Sequence, residues 1–239
     1  MNQKALITGA SRGIGKAIAK ELAAQGYDLY LACHKNIASL QTYADALSSE
    51  YNIGCVCFGG DLGDSSFVDD IFHGIASLDV LINCAGIAHI GLLQDMTDKE
   101  WHHVMRTNID SVFYTCRKAI PLMLARGNGC IINISSVWGA AGASMETAYS
   151  ASKGAVNALT RALGKELAPS HIKVNAIACG LIDTDMNSHL SSEELEKLIS
   201  EIPSDRIGKP EEAAALVRGL IDAPEYLTGQ VITLDGGWT

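Results

Sequence analysis

The feature that most constrains this chain is a repeated alternation of short, continuously apolar runs with segments of helical periodicity. The run ALIT (5–8) ends in glycine and is followed by Ile14, Ala17, Ile18 and Leu22 at helical spacing. The same alternation predicts strands at 5–8, 27–33, 53–58, 78–83, 130–135, 172–178 and 230–234. It predicts helices at 14–25, 36–50, 64–76, 148–168, 191–201 and 210–222, with a long helical zone at 98–126 broken near Asn108. Runs such as CIINIS (130–135) do not alternate apolar with polar residues, so those strands are covered on both faces. Strand–helix repeats of this kind predict an α/β fold, a doubly wound parallel sheet of about seven strands with helices on both faces. No linker or low-complexity segment interrupts 1–239, so one domain is expected.

Composition narrows the function classes. With 239 residues, 48% hydrophobic and 19% charged, the chain can bury a large core and is not disordered. A formal charge of −9, from 18 basic and 27 acidic residues, argues against binding nucleic acid or an anionic membrane. No apolar run approaches the roughly 18 residues of a membrane span. The start, MNQKALITGA, lacks the long apolar stretch of a signal peptide. Seven cysteines, at 33, 55, 57, 84, 116, 130 and 179, include no C-x-x-C and read as reduced thiols of a cytoplasmic protein. Cys55 and Cys57 would share a strand face, but no His or second Cys pair stands at ligand spacing, and no metal is expected. The seven histidines are dispersed, and Glu193, Glu194 and Glu196 read as a solvated helix face.

The first strand–helix turn is TGASRGIG (8–15), with Gly9, Gly13 and Gly15 between strand and helix. Missing side chains let a phosphate approach the backbone, and a helix N-terminus supplies free N–H groups and a positive dipole end. This spacing, G-x-x-x-G-x-G, marks a dinucleotide site because of its place in the first βα unit. The second strand ends Ala32-Cys33-His34-Lys35 without the carboxylate that would accept from a ribose 2′-hydroxyl. Arg12 lies in the glycine turn, and with Lys35 it favours the 2′-phosphate of NADP(H).

TAYSASKGAV (147–156) poses a second question. Tyr149 and Lys153 stand one helical turn apart, yet Ser150-Ala-Ser-Lys153 also matches the S-x-x-K acylation motif. The S-D-N and K-T-G elements that accompany that motif are absent. A tyrosine near pKa 10 needs a cation to act at neutral pH, and Lys153 is placed to supply one.

Together, TGASRGIG (8–15), Asp61 in GDLGD, NCAG (83–86), Asn108 in RTNIDSVF, NISS (133–136), Tyr149-x-x-x-Lys153 and CGLIDTDM (179–186) carry a resemblance. In order and spacing they resemble the classical short-chain dehydrogenase/reductase family over nearly the whole chain. RIGKPEEAA (206–214) and GQVITLDGGW (229–238) are most similar to the 3-oxoacyl-acyl-carrier-protein reductases of that family. The resemblance implies a Rossmann-type fold. It implies Tyr149 as general acid, Ser136 as the hydroxyl holding the substrate carbonyl, and Lys153 on the nicotinamide ribose. It implies Asn108 as anchor of a water linking Lys153 to solvent.

For NADP(H) the resemblance adds cofactor contacts from Gly9, Ser11, Arg12, Gly13, Ile14 and Gly15, from His34 and Lys35, and from Asp61 and Leu62. Cys84, Ala85 and Gly86 would pass the adenosine ribose, and Ile182 and Thr184 the nicotinamide half. Residues at about 185–205, with Met186, Leu190, Leu195, Leu198 and Ile199, would form a lid over the substrate. Two positions depart from the family pattern. Cys84 stands where asparagine is common, so a sheet-stabilising side-chain bond is expected to be lost. Cys179 stands where proline precedes Gly180, so a more mobile nicotinamide loop is expected.

The implied activity is NADPH-dependent reduction of a carbonyl to an alcohol, foremost a 3-oxoacyl-acyl-carrier-protein in fatty acid synthesis. A small non-acyl ketone or alcohol is the alternative. A serine acyl-enzyme and a cofactor-binding protein without turnover are the competing classes. Docking of an acidic acyl carrier protein would need Arg117, Lys118 and Arg126 to cluster. The long helices near 107–126 and 148–168 resemble the family's tetramer-forming pair. The small-residue side of the second (Ala151, Ala155, Ala158, Leu159, Ala162) suits either a homotetramer or packing within the chain.

Overall fold

The computed structural model describes residues 2–188 and 190–239. Seven strands are present among them: β1 (Lys4–Thr8), β2 (Asp28–Cys33), β3 (Cys55–Gly59), β4 (Val80–Asn83), β5 (Gly129–Ser136), β6 (Ile172–Cys179) and β7 (Val231–Leu234). The connecting helices are α1 (Gly13–Ala24), α2 (Ile37–Tyr51), α3 (Ser65–His73), α4 (Asp98–Met105), α5 (Ser111–Arg126), α6 (Trp138–Ala141), α7 (Thr147–Leu167), α8 (Ser192–Glu201) and α9 (Pro210–Asp222). All strand pairs are parallel, in the order β3-β2-β1-β4-β5-β6-β7. The expected doubly wound Rossmann-type sheet is therefore present, and the chain order reverses between β1 and β4.

Alternate residues of the central strands feed two separate cores, which explains their continuous apolar runs. Ala5, Ile7, Val80, Ile82, Cys130 and Ile132 pack on one face with residues of α1, α2 and α9. Leu6, Leu81 and Ile131 pack on the other with residues of α3, α5 and α7. Each such side chain contributes about 1.5–3 kcal/mol by leaving water. A polar ladder crosses the second face. Asn83 Nδ2 donates to Asn133 Oδ1 at 2.9 Å, and Asn133 Nδ2 donates to the Thr160 hydroxyl at 2.9 Å. The Thr115 hydroxyl donates to Asn83 Oδ1 at 2.7 Å. Asn133, Thr115 and Thr160 are fully buried, so the ladder fixes α5 and α7 against β4 and β5 with no competing water.

Several boundaries differ from the sequence expectation. The helical zone at 98–126 is not broken at Asn108. Arg106–Asp110 is a π-helical segment that joins α4 to α5 without leaving helical dihedrals. One inserted residue widens the turn and pushes the Asn108 side chain inward, a device that recurs at functional sites. α3 stops at His73 because Gly74 follows, and β3 and β4 begin two residues later than expected. Ile53 and Leu78 are apolar because they are buried, not because they pair. The four-residue α6 has too short a period to read from sequence.

Replacing Asn133 by alanine removes the oxygen acceptor of the Asn83 amide and the donor to the Thr160 hydroxyl in a buried core, leaving Asn83 only the Cys116 sulfur at 3.5 Å and Thr160 its bond to Val156 O. Asn133→Ala should cost about 3 kcal/mol, seen as a lower urea midpoint at unchanged m-value.

Candidate active site

The carboxyl ends of β1, β4, β5 and β6 open onto one cleft of about 690 Å³, within the usual range for small-molecule sites. Its cofactor end is built by close backbone approach. Gly9 has φ +67°, and a Cβ there would lie 2.9 Å from Ala85 Cα and N. A Cβ on Gly15 would lie 2.3 Å from the Gly9 carbonyl oxygen. Gly13 is at φ +52°, and a Cβ there would lie 3.1 Å from Thr184 Cγ2. The Thr8 hydroxyl accepts from Cys84 N at 2.9 Å and Ala85 N at 3.1 Å, tying β1 to β4 at the reversal of strand order. The glycine turn thus lies flat on the end of β4 and aims the free N–H groups of α1 into the cleft. No acidic residue stands in the first turn of α1. The residues present fit a bound dinucleotide: a cradle that any Cβ would fill, closed by a helix N-terminus.

Every residue expected at the cofactor lines this cleft. The glycine turn contributes Gly9, Ser11, Arg12, Gly13, Ile14 and Gly15, and the end of β2 contributes His34 and Lys35. Asp61 and Leu62, Cys84, Ala85 and Gly86, and Ile182 and Thr184 complete it. Two of these have partners that sequence did not suggest. The Arg12 guanidinium meets Asp185 at 3.5 Å. Both side chains of that pair are more than half exposed, so it is worth ~1 kcal/mol or less and does not hold Arg12 against a phosphate. Asp61 accepts from Gly63 N at 2.9 Å and pairs with Arg106 at 3.5 Å.

The two departures from the family pattern also resolve. The sheet-stabilising bond is carried by Asn83, and Cys84 takes a hydrogen bond from the Gly15 N–H on its sulfur. Cys179 extends β6 to its end. The loop after it is fastened, not loosened: Asp183 N donates to Gly208 O at 2.9 Å, Gly208 N to Leu181 O at 2.9 Å, and Asn187 Nδ2 to Ile182 O at 2.7 Å.

The reacting end gathers Ser136 at the tip of β5, Tyr149 and Lys153 in the first turns of α7, and Asn108 from the π-helical segment. All four are buried. The Lys153 ammonium donates to Ile134 O at 2.9 Å and lies 5.6 Å from the Tyr149 ring centroid. Two of its three donors have no protein acceptor among the described residues. Gly86 gives it room, since a Cβ there would come within 3.4 Å of both Lys153 Nζ and Asn108 Oδ1. The Asn108 side chain accepts from Ile87 N at 2.8 Å and donates to Ile87 O at 2.8 Å and to the Ser152 hydroxyl at 3.0 Å. Both amide hydrogens are thus used, so a water held by Asn108 would have to bond one of its carbonyl oxygens. Ser150 does not meet Lys153: its hydroxyl accepts from Ala143 N at 3.0 Å while the ammonium turns to Ile134. The acylation reading of Ser150-x-x-Lys153 has no geometry behind it.

Electrostatics here run against the sequence expectation. Burial pushes the Tyr149 phenol above the ordinary tyrosine value, and the negative charge of Glu146 adds to the rise. The hydrogen bond with Ser136 works in the opposite direction but does not overcome burial. Burial likewise holds Lys153 below the ordinary lysine value. Desolvation therefore outweighs the lysine's attraction for a phenolate, and the resting pair favours a neutral phenol.

Sequence reasoning missed several cleft residues: Glu146 and His103, and the tryptophans Trp138 and Trp238. Trp138 could have been flagged by its place two residues after Ser136. Trp238 could not, because only the folded C-terminal segment brings it there. Met186, Leu190 and Leu198 of the expected lid line the cleft, while Leu195 and Ile199 do not. His189, within that range, lies outside the described residues, as does Met1. Glu193, Glu194 and Glu196 are exposed on α8, as expected.

Comparison with known proteins gives the family. A family model for short chain dehydrogenases matches residues 3–195. The chain belongs to the short-chain dehydrogenase family and is an oxidoreductase. It is 36% identical over 240 residues to the uncharacterized oxidoreductase YmfI of Bacillus subtilis, covering 100% of this chain and 99% of that one. It is 38% identical over 245 residues to the 3-oxoacyl-[acyl-carrier-protein] reductase FabG of Staphylococcus aureus, covering 99% and 98%. Among solved structures it superposes on a variant of the actinorhodin polyketide ketoreductase with NADPH at a TM-score of 0.93, with 31% identity and coverage of 99% and 97%.

Gly9→Ala forces a side chain into the left-handed region and against Ala85. It should cost about 1–3 kcal/mol of stability and weaken nicotinamide dinucleotide binding at least tenfold, read together by thermal unfolding with and without the dinucleotide.

Proposed function

We propose that the protein catalyses NADPH-dependent reduction of a carbonyl to an alcohol, with a 3-oxoacyl thioester as the foremost substrate class. The observation that carries this reading is the convergence of Ser136, Tyr149 and Lys153 on the cleft that the glycine turn opens. The names of the FabG relative and of the ketoreductase structure with NADPH support the same chemistry. The assignment of NADPH over NADH draws on Arg12, Lys35 and His34 lining the cleft, and on the absence of a carboxylate in the Cys33–Asn36 turn.

When bound, the reduced nicotinamide supplies hydride to the carbonyl carbon. The Ser136 hydroxyl holds the carbonyl oxygen, positioned in part by the Trp138 N–H that donates to it at 3.2 Å. Tyr149 gives its proton to that oxygen as negative charge develops there. A buried neutral phenol suits this direction, because the proton must be present at the start and the forming alkoxide is the stronger base. Lys153 uses its two open donors on the nicotinamide ribose hydroxyls and stabilises the phenolate that remains. Asn108 holds Ile87 and α7 in place around them. Gly13 and the first N–H groups of α1 take the pyrophosphate, and residues at about 185–205 close over the substrate as a lid.

A second reading, a small ketone free of any carrier, is favoured by the placement of the basic residues. Arg126 pairs with buried Asp79 just before β4, at the amino end of the strands, whereas Ser136 stands at their carboxyl end. Lys118 pairs with Asp69, and Arg117 stacks on Phe113 and Tyr114. These three do not gather into a basic rim for an acidic carrier. A fatty acid synthesis role depends on that carrier. A cytoplasmic homotetramer completes it. Ala151, Ala158 and Ala162 of α7 point to solvent, which supports a second copy there over packing within the chain.

Consumption of NADPH with acetoacetyl thioester, carrier-linked and free, tests the activity; absence of turnover with any carbonyl compound, alongside firm NADPH binding, would sink it. Tyr149→Phe should lower turnover by roughly 10²–10⁴-fold while NADPH still binds. Arg12→Ala should weaken NADPH far more than NADH in a fluorescence titration, and an equal loss for both would remove the NADP assignment.

A further inference from the structure

The substrate half of the cleft is walled by two tryptophans from distant parts of the chain. The ring of Trp138, in α6, meets that of Trp238 at 5.0 Å between centroids and 64° between planes, an edge-to-face arrangement. Both line the cleft together with Met186, Leu190 and Leu198. Trp238 is held there firmly although it is the next-to-last residue. The Asp235 carboxylate accepts from Gly237 N at 2.9 Å, from Thr239 N at 2.8 Å and from the Thr239 hydroxyl at 3.0 Å. Gly236 and Gly237, at φ +68° and +88°, double the chain back. Ser204 N donates to Gly236 O at 3.2 Å, fastening the segment to the chain that follows α8. A Cβ on Gly180 would lie 2.7 Å from Asp235 Cβ, so the segment also presses on the loop after β6. The segment is thus bonded within itself and to the chain after α8, and it packs on the loop after β6 with an indole at the site.

The opposite flank carries charge. Glu146, three residues before Tyr149 and half-buried, lines the same cleft. A carboxylate there repels an anion placed near the reacting carbonyl.

We propose that the Trp138–Trp238 pair is the specificity-determining wall of this enzyme, and that its substrate is a neutral ketone whose bulky apolar substituent lies on the indoles. This deepens the carbonyl-reductase reading and rests on it. The test uses NADPH with two neutral keto esters, ethyl benzoylacetate and ethyl acetoacetate. The wild type should prefer the aryl ester. Trp238→Ala should lower the ratio of kcat/KM, aryl over methyl, at least tenfold and mainly through KM, and Trp238→Phe should keep most of it. A wild-type preference for the small ester, or a ratio that Trp238→Ala does not move, overturns the wall. Calorimetric titration of ethyl benzoylacetate into the NADP⁺-loaded protein gives a readout apart from turnover. Its Kd should weaken at least tenfold in Trp238→Ala, and an unchanged Kd overturns the assignment. If the wild type reduces neither ester while the titrations behave as stated, the carbonyl-reductase reading fails and the wall stands. The free benzoylacetate anion should bind at least tenfold more weakly than its ester, with the gap narrowed in Glu146→Gln; equal binding overturns the neutral-substrate part.

Discussion

The structure depends on one close approach. The glycine turn after β1 lies directly on the end of β4, with Gly9 against Ala85 and Gly15 against the Gly9 carbonyl. The Thr8 hydroxyl bonds both N–H groups of Cys84 and Ala85. No side chain fits in that contact. Its consequence is a groove at the reversal of strand order, floored by backbone and closed by the N-terminus of α1. The same layer carries Gly86, whose missing Cβ makes room for Lys153 and Asn108. Cofactor cradle and reacting groups are therefore two ends of one packing arrangement.

Burial governs the chemistry at the far end. Shielding from water raises the pKa of the tyrosine and lowers that of the lysine, and the protein offers the Lys153 ammonium one backbone carbonyl. The pair is poised by geometry more than by mutual attraction. The ladder from Asn83 through Asn133 to Thr160 fixes α7 against the sheet, and Asn108 fixes α7 to the π-helical turn. Together these bonds hold Tyr149 beside Ser136. Desolvation that raises the phenol also keeps its proton available, which suits donation to a carbonyl oxygen.

Around this centre the surroundings are specific to the chain. The edge-to-face tryptophans and the apolar side chains of the segment before and within α8 give this end of the cleft an apolar lining, and Glu146 adds a carboxylate to it. Basic side chains outside the cleft are paired elsewhere, Arg126 with Asp79 at the amino end of the strands. The proposed oxidoreductase chemistry and the proposed substrate wall thus draw on different parts of the molecule, the first on the strand ends and the second on α6, α8 and residues 235–239.

The fold and the candidate site were legible in the sequence because both follow local rules. Doubly buried strands must be apolar throughout, helices must repeat at 3.6 residues, and a backbone floor must be glycine. CIINIS, TGASRGIG and the Tyr149–Lys153 spacing therefore announced themselves. What stayed hidden was decided by contacts between distant segments. Arg12 turns to Asp185, Arg126 to Asp79, and Trp238 to Trp138, each across a separation that no sequence pattern encodes. The pKa direction of Tyr149 was likewise decided by burial, a property of the whole packed site that one neighbouring lysine could not reveal. Sequence determined the sheet and its chemical groups, because periodicity and backbone sterics act along the chain. Tertiary structure alone decided charge pairing, desolvation and the substrate wall, because those energies depend on distance in space.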